Sequence, residues 1–126
     1  MHHPAPFKLT IEPRKGYLYA LFEGDPVTLS NIIDTVNGVF GAVVEGDFNR
    51  VLLVRNSPLL QSDDNRSLLN AMVKNRLPAG VRCALVDIYG NDPEAIERAL
   101  EATRLAGWNL TGFDTIEKAE AWLLSE

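Results

Sequence analysis

The sequence predicts a single α/β domain, with a mostly parallel sheet of four or five strands flanked by about four helices. Its length of 126 residues suits one domain with one core. Its composition, 46% hydrophobic and 23% charged, is that of an ordinary globular protein. Helical and strand patterns alternate after an opening pair of strands, which indicates parallel crossovers. We expect residues 1–6 to form a disordered tail and residues 7–126 to form the domain.

The chain opens with two predicted strands. Phe7, Leu9 and Ile11 alternate with polar residues, which is the period of a half-buried strand, and residues 13–16 are typical of a turn. A second strand is predicted at 17–22, and the short glycine-containing loop before it favours an antiparallel hairpin. Because an exposed edge strand invites pairing, a homodimer joined through this hairpin is one expected assembly.

The first helix is predicted to begin at Asp25 and Pro26. An aspartate can cap free backbone amides, and a proline suits the first helical position. Apolar residues then recur at helical spacing over 29–44. Gly38 and Gly41 lie inside this pattern, and we expect them to mark close backbone packing.

The rest of the chain alternates between strand and helix patterns. We predict a central strand at 51–54, followed by a helix that is capped within 62–65 and stops at 78–80. A buried strand at 81–88 and a helix from Asp92 to Gly107 come next. The chain then ends with a strand at 110–113 and a helix that begins with a capping box at 114–117.

Charge and composition exclude several kinds of partner. With 12 basic and 17 acidic side chains the net charge is −5, which argues against nucleic acid. The apolar runs are far shorter than the roughly 20 residues of a membrane helix. The first residues resemble no secretory signal, so we expect a cytoplasmic protein. The single cysteine, Cys83, excludes an internal disulfide, and its position in a strand predicts a buried thiol.

No catalytic residue, metal site or cofactor is predicted. The sequence contains neither the glycine-rich dinucleotide fingerprint nor a phosphate-binding Gly-Lys-Ser/Thr loop. The histidines are His2 and His3, at the very start of the chain, so no histidine is placed to serve as a catalytic base. These observations favour a binding protein over an enzyme.

A candidate binding surface follows from the predicted topology. Ligands of open parallel sheets bind beyond the carboxyl ends of the strands. The helices that begin there carry their own Asp, Asn or Ser caps, which disfavours phosphate binding by their amides. The residues predicted to contact a partner or ligand at this edge are Asn56, Ser57, Ser62, Asp63, Asp87 and Tyr89.

The order of elements and the ending at 113–123, which closes in Ala121-Trp122-Leu123, resemble the SpoIIAA-like branch of the STAS superfamily. The resemblance implies a sheet flanked by helices, and regulatory binding of a protein partner or small ligand. In anti-sigma-factor antagonists of the superfamily, a serine within Asp-Ser-Ser-Gly is phosphorylated to break partner binding. Here the matching stretch is 61–64, where Asp63 falls on the phosphoserine position and the Asp and Gly are missing. Asp63 then either mimics a modified state or caps a helix.

Three functions stay open on the sequence. The first is a non-enzymatic regulatory module that binds an unknown protein partner. The second is a protein that binds a small apolar ligand or lipid, as the related CRAL-TRIO domains do; it is suggested by aromatic residues beside the first helix, Phe7, Tyr17, Tyr19, Phe22 and Phe40. The third is an enzyme that uses carboxylates, which predicts that Asp25, Asp87 and Asp114 meet in one cleft.

Overall fold

The computed structural model describes residues 5–60 and 66–125. Within these ranges the strands are β1 (Ala5–Arg14), β2 (Tyr17–Asp25), β3 (Arg50–Asn56), β4 (Arg82–Asp87) and β5 (Leu110–Phe113). The helices are α1 (Leu29–Gly46), α2 (Arg66–Lys74), α3 (Pro93–Leu105) and α4 (Ile116–Leu123). The predicted fold class and order of elements are confirmed. No helix in the described part of the chain is both long and apolar enough to cross a membrane.

The sheet runs in the order β1-β2-β3-β4-β5. The first two strands are antiparallel, as the predicted hairpin requires, and every later pairing is parallel. When successive right-handed crossovers move in the same direction across a sheet, their helices lie on the same face of the sheet. Accordingly, α1, α2 and α3 share a core with one face of the sheet, whereas α4 packs on the other face.

The two faces have separate hydrophobic cores. The larger core joins the three crossover helices to the sheet and contains Trp108, whose indole N–H donates to the Met72 carbonyl over 3.1 Å. The smaller core lies under α4, where Ala119 and Leu123 are fully buried. The Tyr17 hydroxyl donates to the Glu120 carboxylate over 2.6 Å, which ties α4 to β2. Both faces of the central strand are therefore covered, as predicted.

The predicted start of α1 is wrong. Asp25 is the last residue of β2, and the helix is capped by Thr28. The Thr28 hydroxyl accepts from the Asn31 N–H over 3.1 Å, and the Asn31 side chain accepts from the Thr28 N–H over 2.9 Å. This reciprocal pair satisfies two amides at once, which explains why the helix begins after Thr28.

The two glycines of α1 differ in their surroundings. A Cβ at Gly38 would lie 3.1 Å from the Leu9 Cδ2 and 3.3 Å from the Ile11 Cδ1, so close packing against β1 is confirmed there. A Cβ at Gly41 would meet nothing within 4 Å, so the same prediction is wrong for Gly41. The helix continues through both positions.

Other boundaries shift by a few residues. β1 begins at Ala5, because this residue pairs with Asp25 across the hairpin. The cap of α4 is Thr115 rather than Asp114, and its hydroxyl accepts from the Lys118 N–H over 3.2 Å. Helix α2 ends at Lys74, ahead of the predicted stop at 78–80. The caps predicted within 62–65 lie outside the described residues.

Candidate functional site

The carboxyl ends of β2, β3 and β4 form one edge of the sheet, which we call the rim and define by Asp25, Asn56, Ser57, and residues 87–91. The structure brings four predicted site residues together on it: Asn56, Ser57, Asp87 and Tyr89. The other two, Ser62 and Asp63, lie outside the described residues.

Asp87 organises the loop that follows β4. Its carboxylate accepts from the Tyr89 N–H over 3.2 Å, from the Asn91 N–H over 2.8 Å and from the Asn91 side-chain amide over 3.1 Å. Gly90 adopts a φ of 95°, a left-handed conformation that glycine tolerates within this tight turn. Asp87 therefore serves to hold the loop in one conformation.

Asn91 links this loop to the one that follows β3. Its side-chain amide donates to the Ser57 carbonyl over 2.9 Å, and its side-chain oxygen accepts from the Leu59 N–H over 3.0 Å. Asn91 is not among the six predicted site residues, although its spacing of four from Asp87 allows an aspartate–asparagine contact within one loop. The two loops consequently form one connected surface.

Tyr89 connects the rim to β2. Its hydroxyl donates to the Asp25 carboxylate over 2.7 Å, and this hydrogen bond raises the pKa of Tyr89 above the ordinary tyrosine value. The Asn56 side-chain amide makes a longer contact of 3.5 Å with Glu23, at the same end of β2. Tyr89 remains 41% exposed and its neighbour Ile88 is 50% exposed. The rim thus presents one aromatic and one aliphatic side chain to solvent.

Beneath the rim lies a buried arginine that the sequence did not single out. Arg55 is 8% exposed, and its Nη1 donates to the Ser57 hydroxyl over 3.2 Å and to the Pro58 carbonyl over 2.9 Å. The guanidinium lies over the Phe22 ring, 4.8 Å from its centroid. Burial lowers the pKa of Arg55 to about 10, while attraction to Asp87 opposes that shift. The group stays protonated near neutral pH.

Ser57 is fully buried, and its hydroxyl accepts from Arg55. The side chain of this predicted site residue is therefore not exposed at the surface, and it supports the exposed residues of the rim from below.

The carboxylates proposed for catalysis do not form one cluster. Asp25 and Asp87 both bond to Tyr89, through its hydroxyl and its backbone N–H. Asp114 instead pairs with Lys118 of α4 over 3.0 Å. Within residues 5–60 and 66–125, no three His, Cys, Asp or Glu side chains are close enough to hold a metal ion. The prediction that Asp25, Asp87 and Asp114 meet in one cleft is therefore wrong.

The topology accounts for the shape of the rim. The crevice that binds ligands in open parallel sheets forms where the strand order changes direction. Here the order runs from β1 to β5 without a reversal. In the described residues the rim therefore has no crevice of that kind; it has an open pocket of about 280 Å³, lined among others by Asp25, Asn56 and Tyr89.

A separate cavity of about 170 Å³ lies between the sheet and the three crossover helices. Its lining is mostly apolar, with Arg55 in its wall. The lining residues that reach it from helices include Val36 and Val39 of α1, Leu69 and Met72 of α2, and Ile96 and Leu100 of α3. This cavity is more enclosed than the rim pocket, and a small molecule fits in it.

The structure is similar to a solved protein described as an anti-sigma factor antagonist from Mycobacterium paratuberculosis. The TM-score is 0.64, the sequence identity is 15%, and the match covers 99% of this chain and all (100%) of that chain. No protein-family model and no curated protein matches the sequence. The likeness extends over both layers of helices and the whole sheet. The chain therefore has the same fold as this protein, a STAS-like fold, as its element order and its last helix predicted.

Proposed function

We propose that this chain is a non-enzymatic regulatory module that binds a protein partner at the rim. The observation that carries the proposal is the pair of exposed side chains, Ile88 and Tyr89, on a loop held by Asp87 and Asn91. The likeness to an anti-sigma factor antagonist supports a role in regulation by protein contact.

The loop that carries Ile88 and Tyr89 is held by hydrogen bonds before any partner binds. Ordering a loop on association costs free energy, so a loop already fixed by hydrogen bonds binds more tightly. Aromatic side chains at the centre of an interface contribute much of its binding energy. Tyr89 is such a side chain, and its bond to Asp25 limits its rotation. The rim therefore has the properties of a preformed interface.

The proposal is tested by affinity capture from the native cell extract, with the wild type beside the Ile88→Asp variant. Leu105→Asp is the matched control, because Leu105 is an 86% exposed leucine at the end of α3 far from the rim. We expect a specific protein that binds the wild type and the control and is lost with Ile88→Asp. A partner retained equally by all three proteins would place the interface elsewhere and contradict the proposal.

Ser62 and Asp63 are part of the same proposal as a regulatory segment that follows β3. If Asp63 acts as a permanent counterpart of a phosphoserine, Asp63→Ser changes partner affinity while the fold stays intact by circular dichroism. Equal affinity of Asp63→Ser and wild type would remove Asp63 from the proposal. The cytoplasmic location and the homodimer stay predictions, the second of which sedimentation velocity tests.

A second candidate function is supported by the 170 Å³ cavity, which favours a small apolar ligand. Native mass spectrometry of protein purified from its own cells is expected to show a bound small molecule. Protein that is entirely free of ligand, and that no small apolar compound stabilises against heat, would contradict this candidate.

A further inference from the structure

Among the described residues, the wall of the apolar cavity contains a single charged side chain, and the other side chains with a hydrogen-bond donor already have a partner. Four lining side chains carry a hydrogen-bond donor: Thr35, Arg55, Thr103 and Trp108. Thr35 donates to the Asn31 carbonyl over 3.0 Å, Thr103 to the Ala99 carbonyl over 2.8 Å, and Trp108 to the Met72 carbonyl over 3.1 Å.

Arg55 differs from these three side chains. Its hydrogen bonds to the described residues all come from Nη1 and all go to neutral oxygens of Ser57 and Pro58. Asp87 attracts the guanidinium from a distance, but among the described residues no carboxylate lies within ion-pair distance of it. A buried cation without a paired anion is unfavourable, and a guanidinium binds planar carboxylates especially well.

The volume of the cavity limits the size of the hydrocarbon group that a bound anion can carry. A cavity of about 150 Å³ lined by Leu, Ile and Phe binds benzene. The 170 Å³ here therefore holds a hydrocarbon group of about six carbons with a small head group. Ala99 is exposed and also lines the cavity, which places it at the opening between α3 and its neighbours.

We propose that the cavity binds a small aliphatic or aromatic monocarboxylate, with its hydrocarbon group among Val39, Met72 and Leu100 and its carboxylate against Arg55. This inference rests on the second candidate function and specifies its ligand. The charge of Arg55 complements one negative charge, whereas with an uncharged ligand the guanidinium has no ion pair among the described residues.

The test measures binding of benzoate, benzamide and phenylphosphate at pH 7 by calorimetry, with the wild type and three variants. Benzoate and benzamide have the same ring and differ in charge. Arg55→Met removes the cation and keeps an unbranched side chain, and Ala99→Phe fills the opening. Arg14→Met is the matched control, because Arg14 also lies over an aromatic ring, that of Tyr19, but belongs to the edge strand β1.

We expect the wild type to bind benzoate about tenfold or more tightly than benzamide. Arg55→Met should reduce that ratio to near one, Ala99→Phe should lose both ligands, and Arg14→Met should keep the wild-type ratio. If Arg55→Met does not fold, the comparison of the two ligands on the wild type still decides the matter.

Equal binding of benzoate and benzamide by the wild type would overturn the proposal that the ligand is a carboxylate, but it would agree with the proposed binding of an apolar ligand. Binding of neither ligand would overturn both. Tighter binding of phenylphosphate than of benzoate would show that the cavity selects a phosphate, and a benzoate preference that persists in Arg55→Met would exclude Arg55 as its cause.

Discussion

Replacing Asp87 with alanine is expected to loosen the loop that carries Ile88 and Tyr89. The substitution removes the acceptor of three hydrogen bonds, from the Tyr89 N–H and from two groups of Asn91. Hydrogen bonds to charged groups contribute about 1.5–3 kcal/mol when buried, and less where water competes. Because this loop is partly exposed, we assign each about 1 kcal/mol, which predicts a loss of about 2–3 kcal/mol in the free energy of unfolding.

Urea denaturation followed by tryptophan fluorescence, to which the buried Trp108 contributes, measures this loss. The midpoint should fall while the slope against urea stays the same. Asp34→Ala is the control, because Asp34 is an exposed aspartate of α1, and it should cause no loss of stability. A loss below about 0.5 kcal/mol for Asp87→Ala would refute the conclusion that Asp87 holds the loop.

Three further predictions concern the body of the fold. Gly41→Ala should stabilise α1 by about 0.5–1 kcal/mol in urea denaturation, and Gly38→Ala should gain less or lose stability, because its Cβ would press on Leu9. Leu123→Ala should cost about 2–5 kcal/mol by the same method, since this side chain is fully buried under the sheet. Burial raises the pKa of Cys83 to about 12, so the thiol stays protonated in the folded protein, whereas in the unfolded chain it ionises above about pH 8.5. The free energy of unfolding should therefore fall as the pH rises from 9 to 11, and it should fall less steeply in the Cys83→Ala variant.

Each of these has a clear contrary result. Equal effects of the two glycine substitutions would contradict the close approach of α1 to β1. A cost below about 1 kcal/mol for Leu123→Ala would mean that α4 is not anchored as described. Rapid modification of the native Cys83 thiol at pH 8 would contradict its burial.

The fold could be predicted because the sequence patterns and the topology agree. The alternation of strand and helix patterns allows few arrangements once crossovers are right-handed, and the apolar run at 51–54 identified the central strand. The start of α1 could not be predicted in the same way. Asp25-Pro26 and Thr28 with Asn31 are both good local helix starts, and pairing of Ala5 with Asp25 decides between them by extending β2.

The rim was predictable in position and less so in detail. The general rule for parallel sheets places Asn56, Asp87 and Tyr89 at one edge, where the structure has them. Arg55 gave no signal, because a basic residue at the end of a strand usually lies in water. Its burial depends on the chain at Ser57 and Pro58 folding over it, a contact that no local pattern encodes.

The cavity also arises from nonlocal packing. Its walls come from three helices and four strands, and each contributes an apolar side chain that by pattern belongs to the core. Whether such side chains fill the space or leave a cavity depends on how the helices pack together, which side-chain periodicity does not determine. The sequence could therefore suggest an apolar ligand, but it could not predict this cavity or the position of Arg55 in its wall.

The rim is the surface at which we expect a protein partner to bind. Hydrogen–deuterium exchange measured by mass spectrometry, with and without the partner captured from cell extract, tests this expectation most directly. We predict that the partner slows exchange in the peptides covering residues 55–60 and 86–92, and leaves α4 unchanged. Slowed exchange confined to α4 or to the β1 edge, with the rim peptides unaffected, would contradict the account.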